Sequence, residues 1–379
     1  MSDLLERLLD GDHRALARTI TNIENRAPGY RDLVSGLYEH AGTAEVIGIT
    51  GSPGAGKSTL VDKMAETYRD RGETVGVIAI DPSSPFTGGA VLGDRIRMAS
   101  NVGDMDVFFR SMSARGSLGG VSIATADAVK ALDAFGKDRI IVETVGAGQN
   151  EIDIVKTADT VAVLVQPGSG DDVQMLKAGI LEIADVFVVN KADLDGADRT
   201  VQELREMLDL RGNAGSGRND QHTGHGHHAE ATAVESDAAA ADADGDGRAG
   251  AADGAALKQA EAEPGDDGGS DAVWTPPIVE AVATHGEGVD AFLDAIDDHH
   301  AHLDSTGEAR AKARERYAEE IRTLLREDTA ALIAEEIDAR GGIDDLVDGV
   351  VAGETDPYGI ADDVLDPVAT CLRERREDG

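Results

Sequence analysis

The chain has 379 residues and a formal net charge of −38, with 73 acidic against 35 basic residues. So acidic a surface repels the phosphates of nucleic acids and of anionic lipids, which excludes both as direct partners. We expect such a surface where salt screens the self-repulsion, as in a high-salt cytoplasm. A single cysteine allows no internal disulfide, and no stretch has the ~18 unbroken apolar residues of a membrane span, so we expect a soluble cytoplasmic protein.

The predicted elements divide the chain into three parts. Residues 1–43 repeat apolar side chains at three- and four-residue steps, which predicts an N-terminal helical extension. In residues 44–302, the predicted GTPase domain, short β-branched runs alternate with helix-length segments. The predicted strands are 45–50, 74–80, 106–110, 138–144, 159–165, 185–190 and 277–282. This alternation predicts an α/β fold with a mostly parallel sheet flanked by helices. Residues 306–340 are rich in Ala, Glu, Arg and Leu, as long surface helices are, and the end of the chain predicts two shorter helices, so residues 303–379 are the predicted C-terminal helical and dimerisation arm.

Residues 212–272 interrupt the alternation. They consist mostly of Gly, Ala, Asp, Glu, Ser and His, and they have no periodic apolar face. Such a composition buries too little apolar surface to offset chain entropy, so it predicts a disordered insertion within the domain. Histidines at 222, 225, 227 and 228 have the density of a nickel or zinc site. A disordered tract also tolerates histidine without a metal, and we favour that interpretation.

A phosphate-binding loop follows the first predicted strand. Residues 51–58 read GSPGAGKS and match the pattern G-x-x-x-x-G-K-[ST], with a predicted helix behind them. Glycines let successive N–H groups point at phosphate oxygens, Lys57 reaches the β- and γ-phosphates, and Ser58 holds a magnesium ion. The predicted triphosphate-binding residues are Gly51, Gly54, Ala55, Gly56, Lys57, Ser58 and Thr59.

A second motif selects the base. Asn190, Lys191 and Asp193 match N-K-x-D directly after a predicted strand. The Asp193 carboxylate would accept two N–H groups of guanine, whereas adenine presents a mismatched edge, so the motif predicts GTP. A polar turn can also close a strand in this way, but the phosphate loop in the same domain favours base recognition. In the loop after the next strand, the backbone N–H groups of Ala283 and Thr284 are candidates to contact the guanine oxygen.

Three carboxylates are candidate magnesium ligands, because magnesium prefers oxygen ligands beside the phosphates. Asp81 and Glu143 end predicted strands, and Asp94 lies in a Gly-rich segment, although each could instead cap a helix or face solvent. Residues 143–146 stand where many GTPases carry D-x-x-G, so the Gly146 amide would sense the γ-phosphate. Gln149 is a candidate to position the attacking water, beside Lys57 and Glu143 as the other candidate catalytic residues.

Three long segments make the chain recognisable. They are AIDPSSPFTGGAVLGDRIRM (79–98), IVETVGAGQNE (141–151) and QPGSGDDVQMLKAGILEIADVFVVNKAD (166–193). Together they closely resemble the MeaB/ArgK family, G-protein chaperones of adenosylcobalamin-dependent methylmalonyl-CoA mutase and related acyl-CoA mutases. The resemblance covers about residues 1–210 and 273–330. It implies a SIMIBI-class P-loop GTPase that uses Mg²⁺ with GTP, forms a homodimer partly through its C-terminal arm, and meets adenosylcobalamin only through the mutase.

The resemblance also implies residue roles. Phosphate and magnesium contacts fall to Lys57, Ser58, Asp81, Asp94 and Glu143, and guanine contacts to Asn190 and Asp193. Residues 81–85 resemble the family's first switch. The loop from Gly168 to Lys177, with Asp171 and Lys177, resembles an additional switch that communicates with the mutase. The 212–272 insertion is not part of the family pattern, and residues 340–379 match it loosely.

The resemblance favours a GTPase that gates cofactor loading into a cobalamin-dependent acyl-CoA mutase and protects that enzyme. A nickel metallochaperone GTPase would use the same site with a different cargo. A kinase associated with amino-acid transport is an older label for this family, but the guanine motif argues against a kinase that uses ATP. A nucleotide-binding scaffold without hydrolysis is a further alternative, which the three candidate magnesium carboxylates disfavour.

Overall fold

A seven-stranded parallel sheet lies at the centre of the computed structural model. The structure describes residues 3–81, 103–113, 120–144, 157–168, 180–216 and 273–377. The strands are β1 (Glu45–Gly51), β2 (Val75–Asp81), β3 (Val107–Ser113), β4 (Arg139–Thr144), β5 (Thr160–Val165), β6 (Val186–Asn190) and β7 (Ile278–Ala281). Their order across the sheet is β3-β2-β4-β1-β5-β6-β7, and every neighbouring pair is parallel. The predicted fold class is therefore confirmed.

The central strands are buried along their whole length, as strands covered by helices on both faces must be. All seven residues of β1 are buried, and so are all residues of β5 and β6. Strand β1 lies between β4 and β5, and the later strands of the chain are added on both sides of it. In open α/β sheets, ligands bind outside the carboxyl ends of the strands at such a point. The phosphate loop leaves the sheet there.

Helices cover the sheet and extend from both ends of the chain. The N-terminal ones are α1 (Asp3–Leu9), α2 (His13–Glu24) and α3 (Tyr30–Leu37). Within the domain lie α4 (Lys57–Asp70), α5 (Gly120–Ala134), α6 (Ile180–Ile183), α7 (Ala197–Ser216) and α8 (Val289–Thr306). The C-terminal arm contains α9 (Glu308–Ala339), α10 (Ile343–Val351) and α11 (Pro357–Glu377). None of these helices is both long and apolar enough to cross a bilayer.

Helix α4 fixes the phosphate loop to the core. Its apolar side chains Leu60, Val61, Met64 and Tyr68 are buried and belong to the same core cluster as strand residues of the sheet. Fully burying one such side chain contributes about 1.5–3 kcal/mol. The start of α4 is thereby held rigidly beside the end of β1, which is where a phosphate-binding helix must begin.

The N-terminal helices and the arm are joined through α5 and α9. Helices α2 and α3 pack on α5, and Lys130 of α5 forms an ion pair of 3.0 Å with Glu320 of α9. The phenol of Tyr38 donates to the same Glu320 carboxylate. Asp127 is buried nearby on α5, with 4% of its surface exposed. This polar cluster connects the N-terminal helices and the arm to α5, which packs on the sheet.

The three-part division of the chain stays a prediction, although two boundaries differ in detail. Helix α8 continues to Thr306, past the predicted domain end at 302, and stops where Gly307 adopts a left-handed φ of 75°. Helix α7 reaches Ser216, inside the predicted 212–272 insertion. The remainder of that insertion, with its four histidines, lies outside the described residues.

Candidate functional site

The glycines at the two ends of the phosphate loop are required by close contacts. Gly51 ends β1 with a φ of 133°, and a Cβ there would collide with the backbone of Leu164 in β5. Gly56 precedes α4 with a φ of 93°, and a Cβ there would collide with the side-chain amide of Asn190. The loop is therefore seated against two neighbouring strands, and residues with side chains would displace it at both ends.

Lys57 lies inside the loop. Its ammonium donates to the carbonyl oxygens of Gly51 at 2.6 Å and Ser52 at 3.0 Å, and only 6% of the residue is exposed. Because Lys57 is the first residue of α4, its side chain and the positive end of the helix dipole act on the same space. A buried cation beside a helix N-terminus favours an anionic ligand.

Ser58 and Glu143 meet although they are distant in sequence. The Ser58 hydroxyl donates to Glu143 Oε1 at 2.6 Å, and Glu143 is 3% exposed. The next residue of β4, Thr144, donates to the hydroxyl of Thr50 in β1 at 2.9 Å, which joins the ends of these two strands. One hydroxyl and one carboxylate of the predicted magnesium set are thus adjacent.

The oxygen-rich character of this corner fits a divalent cation. Strand β2 pairs Ala79 with Glu143, and Asp81 is the last residue of β2, so its backbone lies near the end of β4. Hydroxyl and carboxylate oxygens are the ligands that magnesium prefers. The residues present therefore suit a hard cation bound beside phosphate oxygens. The Asp81 side chain and the whole of Asp94 lie outside the described part of the chain.

Asn190 connects the phosphate loop to the loop after β7. Its side-chain amide donates to the Ala55 carbonyl at 2.7 Å, and its Oδ1 accepts from the backbone N–H of Ala283 at 3.0 Å. Asn190 is 2% exposed. The Ala283 amide is thus already used within the protein, which leaves Thr284, exposed in the turn 283–285, as the better candidate for a base contact.

Lys191 makes a second connection. It has a left-handed φ of 61°, and its ammonium donates to the Gly54 carbonyl at 2.7 Å and to Gln166 Oε1 at 3.0 Å. Asp193 lies two residues further on in an exposed turn, closed by a hydrogen bond from Leu194 N–H to the Lys191 carbonyl. Its carboxylate is therefore accessible to a base seated against this turn.

The structure brings together most, but not all, of the predicted site. The phosphate loop, Glu143 and the N-K-x-D motif lie at one edge of the sheet. Gly146, Gln149, Asp171 and Lys177 lie outside the described residues. Among the residues that the structure does describe, no three His, Cys, Asp or Glu side chains are grouped as a metal site would require.

Gln166 was not among the residues predicted from the sequence. This residue directly follows β5, just as the polar Asn190 ends β6, and both strands stop at the same edge of the sheet. A polar side chain at the carboxyl end of a buried parallel strand is the signal that points to it. The buried hydroxyls of Thr50 and Thr144, at the ends of β1 and β4, were also not predicted, and the same signal points to them.

Comparisons with known proteins identify related GTPases. The chain is 43% identical over 368 residues to a protein of Pyrococcus abyssi named as a GTPase, covering 96% of each chain. It is 38% identical over 199 residues to GTPase ArgK of Escherichia coli, covering 52% of this chain and 60% of that one. The crystal structure of an LAO/AO transport system kinase superposes with a TM-score of 0.57 at 20% identity, covering 97% of both chains, and shares the fold.

A family model described as methylmalonyl Co-A mutase-associated GTPase MeaB matches residues 16–338. That range contains the phosphate loop, the N-K-x-D motif and all but the last residue of α9, the first helix of the arm. The resemblance to MeaB and ArgK is therefore confirmed. The chain belongs to the MeaB family of P-loop GTPases.

Proposed function

We propose that this GTPase gates the loading of adenosylcobalamin into a cobalamin-dependent acyl-CoA mutase of the methylmalonyl-CoA mutase type, and protects that enzyme. The observation that carries the proposal is the family match over residues 16–338, in a family described as mutase-associated. In this proposal the bound nucleotide controls when cofactor loading occurs, and the mutase is the partner that responds to it.

The nucleotide would lie along the carboxyl edge of the sheet. Residues 51–59 would hold the phosphates, with Lys57 neutralising their charge and the Gly146 amide sensing the γ-phosphate. Asn190, Lys191 and Asp193 would hold the guanine, with Thr284 at its oxygen. The 2.6 Å contact between Ser58 and Glu143 supports placing both at the phosphate end.

Mg²⁺ is the cation that this site would hold. Its ligands would be drawn from Ser58, Asp81, Asp94 and Glu143, and when bound it supplies charge neutralisation at the β- and γ-phosphate oxygens. Water attacks the γ-phosphorus and the bond to the β–γ bridging oxygen breaks, giving GDP and phosphate. Gln149 is the residue of this chain proposed to orient that water.

The mutase partner would complete the GTP-hydrolysis site. Residues 168–177, including Asp171 and Lys177, resemble the family's additional switch and would carry the signal between nucleotide and mutase. A direct test supplies adenosylcobalamin to the apo form of a cognate mutase in the presence of this protein with GTP, GDP or a non-hydrolysable GTP analogue. Loading that depends on the nucleotide supports the proposal, and loading that is identical under all three conditions contradicts it.

We further propose that two copies pair through the arm. Helix α9 contains no buried residue, and Tyr317, Ile321 and Leu325 are 49%, 57% and 61% exposed at four-residue steps. Such spacing places them on one side of the helix as an apolar stripe, which a second copy would cover. Light scattering in concentrated salt should show a dimer that Leu325→Glu dissociates and that Ala330→Glu, elsewhere on α9, leaves intact. A monomeric wild type would contradict this pairing.

A further inference from the structure

Lys191 is held between two loops that belong to different strands. Its ammonium is 2.7 Å from the Gly54 carbonyl in the phosphate loop and 3.0 Å from Gln166 Oε1 in the loop after β5. Lys191 itself belongs to the guanine motif after β6. One side chain therefore connects the phosphate loop, the base loop and the end of β5.

The unusual backbone conformation of Lys191 needs contacts that hold it in place, and these two hydrogen-bond acceptors can supply them. Its φ of 61° lies in the left-handed region that residues with a Cβ rarely adopt. Such a conformation persists only where surrounding contacts enforce it, and it is concentrated at functional sites. Hydrogen bonds to a charged ammonium are the stronger kind, so the Gly54 and Gln166 contacts are suited to enforce it.

Gln166 is held rigidly enough to position the Lys191 ammonium. It is half-buried and directly follows β5, all of whose residues are buried, and Pro167 comes after it. The backbone of Leu164, two residues earlier, packs so closely against Gly51 that a Cβ on Gly51 would not fit. The side-chain oxygen of Gln166 is thus presented from a rigid strand end.

We propose that Gln166 is a positioning residue of the nucleotide site, acting through Lys191. It holds the lysine in its left-handed geometry and, through the Gly54 carbonyl, keeps the base loop in register with the phosphate loop. This inference rests on the proposed assignment of residues 190–193 to guanine. Because Gln166 acts at the base end of the site, GTP and GDP depend on it equally.

The test measures affinity for GTP and for GDP by calorimetry in the full-length protein with magnesium. Gln166→Leu keeps the size of the side chain but removes the acceptor, and it should weaken both nucleotides equally, by about three- to tenfold. Single-turnover hydrolysis at saturating GTP should change less than about twofold, since the loss is one of ground-state binding. Gln202→Leu, on the exposed face of α7, is the matched control and should leave both affinities unchanged.

A double-mutant cycle separates this role from a merely structural one. If Gln166 acts through Lys191, Gln166→Leu should add nothing to the loss that Lys191→Met causes alone, whereas independent effects add. Gln166→Glu retains an acceptor for the ammonium and should restore wild-type affinity, which keeps the test usable if the leucine variant does not fold.

Three results would overturn the inference: additive losses in the cycle, a loss confined to GTP, or a Gln166→Leu variant that binds as wild type does. These outcomes differ from failure of the nucleotide assignment itself. In that case the wild-type protein would bind ATP and ADP as tightly as it binds GTP and GDP.

Discussion

The hydroxyl of Ser58 donates to Glu143 Oε1 over 2.6 Å, although 85 residues separate the two in the chain. The contact joins the first turn of α4 to the end of β4. It places a buried carboxylate beside the residue that follows the phosphate-loop lysine. Because oxygen ligands near the phosphates are what magnesium needs, this pair is the centre of the proposed cation site.

Glu143→Gln is the substitution that tests this site most cleanly. The amide oxygen can still accept from Ser58, but the negative charge is lost, so the apparent affinity for Mg²⁺ during GTP hydrolysis should fall by about 10- to 100-fold. Magnesium titrations of the hydrolysis rate measure this affinity. Glu66→Gln, on the outer side of α4, should leave it unchanged, and an unaltered magnesium dependence of Glu143→Gln would remove Glu143 from the site.

Lys57→Ala should weaken GTP binding by about 10- to 100-fold, because charge-assisted contacts to phosphate are lost. The loss should be smaller for guanosine, which has no phosphate to contact. Equilibrium binding of GTP, GDP and guanosine measures both effects. Lys63→Ala, which removes an ammonium paired with Glu66 further along α4, is the control. Retained GTP affinity in Lys57→Ala would contradict the phosphate-loop assignment.

Asp193→Asn should shift the base preference from guanine toward xanthine. The new side-chain NH₂ can donate to the xanthine carbonyl, whereas it opposes the guanine amino group, so the ratio of the two affinities should change by at least about tenfold. Competition between GTP and xanthosine triphosphate measures that ratio. Asp195→Asn, in the same exposed turn, should leave it unaltered, and an unchanged preference in Asp193→Asn would mean that this turn does not read the base.

The pH dependence of stability should report on Asp127. Burial raises the pKa of this carboxyl from 3.8 to about 7, an effect that Lys130 partly opposes and Glu320 reinforces. The folded state therefore holds the proton more tightly than the unfolded state. The stabilisation is complete below pH 4 and is lost as pH rises toward 7.

Asp127→Asn removes this titration. Relative to wild type, its free energy of unfolding should rise by about 2 kcal/mol between pH 5 and pH 8. Denaturant unfolding at both pH values measures the difference, with Asp32→Asn on the exposed side of α3 as the control. A difference between variant and wild type that is the same at pH 5 and pH 8 would show that the carboxyl does not titrate in this range.

Much of the fold follows from local sequence. A parallel strand covered on both faces requires a continuous apolar run, so residues 159–165 and 185–190 could be recognised without knowing their neighbours. The phosphate loop and the guanine motif could also be recognised from local sequence, because each depends on particular residue types at fixed spacing within a short segment. The predicted and observed bounds of these strands differ by one residue at the start.

Contacts between distant segments could not be read in this way. The Ser58–Glu143 and Lys191–Gln166 hydrogen bonds depend on β1, β4, β5 and β6 stopping at one edge of the sheet, which only the strand order specifies. The composition of residues 212–272 also predicts an insertion that begins at residue 212, before the observed end of α7 at Ser216. The helix continues through residues 212–216, although their composition favours a loop.

The rate of GTP hydrolysis tests most directly whether a cobalamin-dependent mutase controls this GTPase. Phosphate release should be measured with magnesium and GTP, first for this protein alone and then with increasing amounts of the cobalamin-dependent mutase from the same cell. We expect slow turnover for the protein alone and a rate that rises to saturation as the mutase is added. A rate that stays the same across the titration would contradict it.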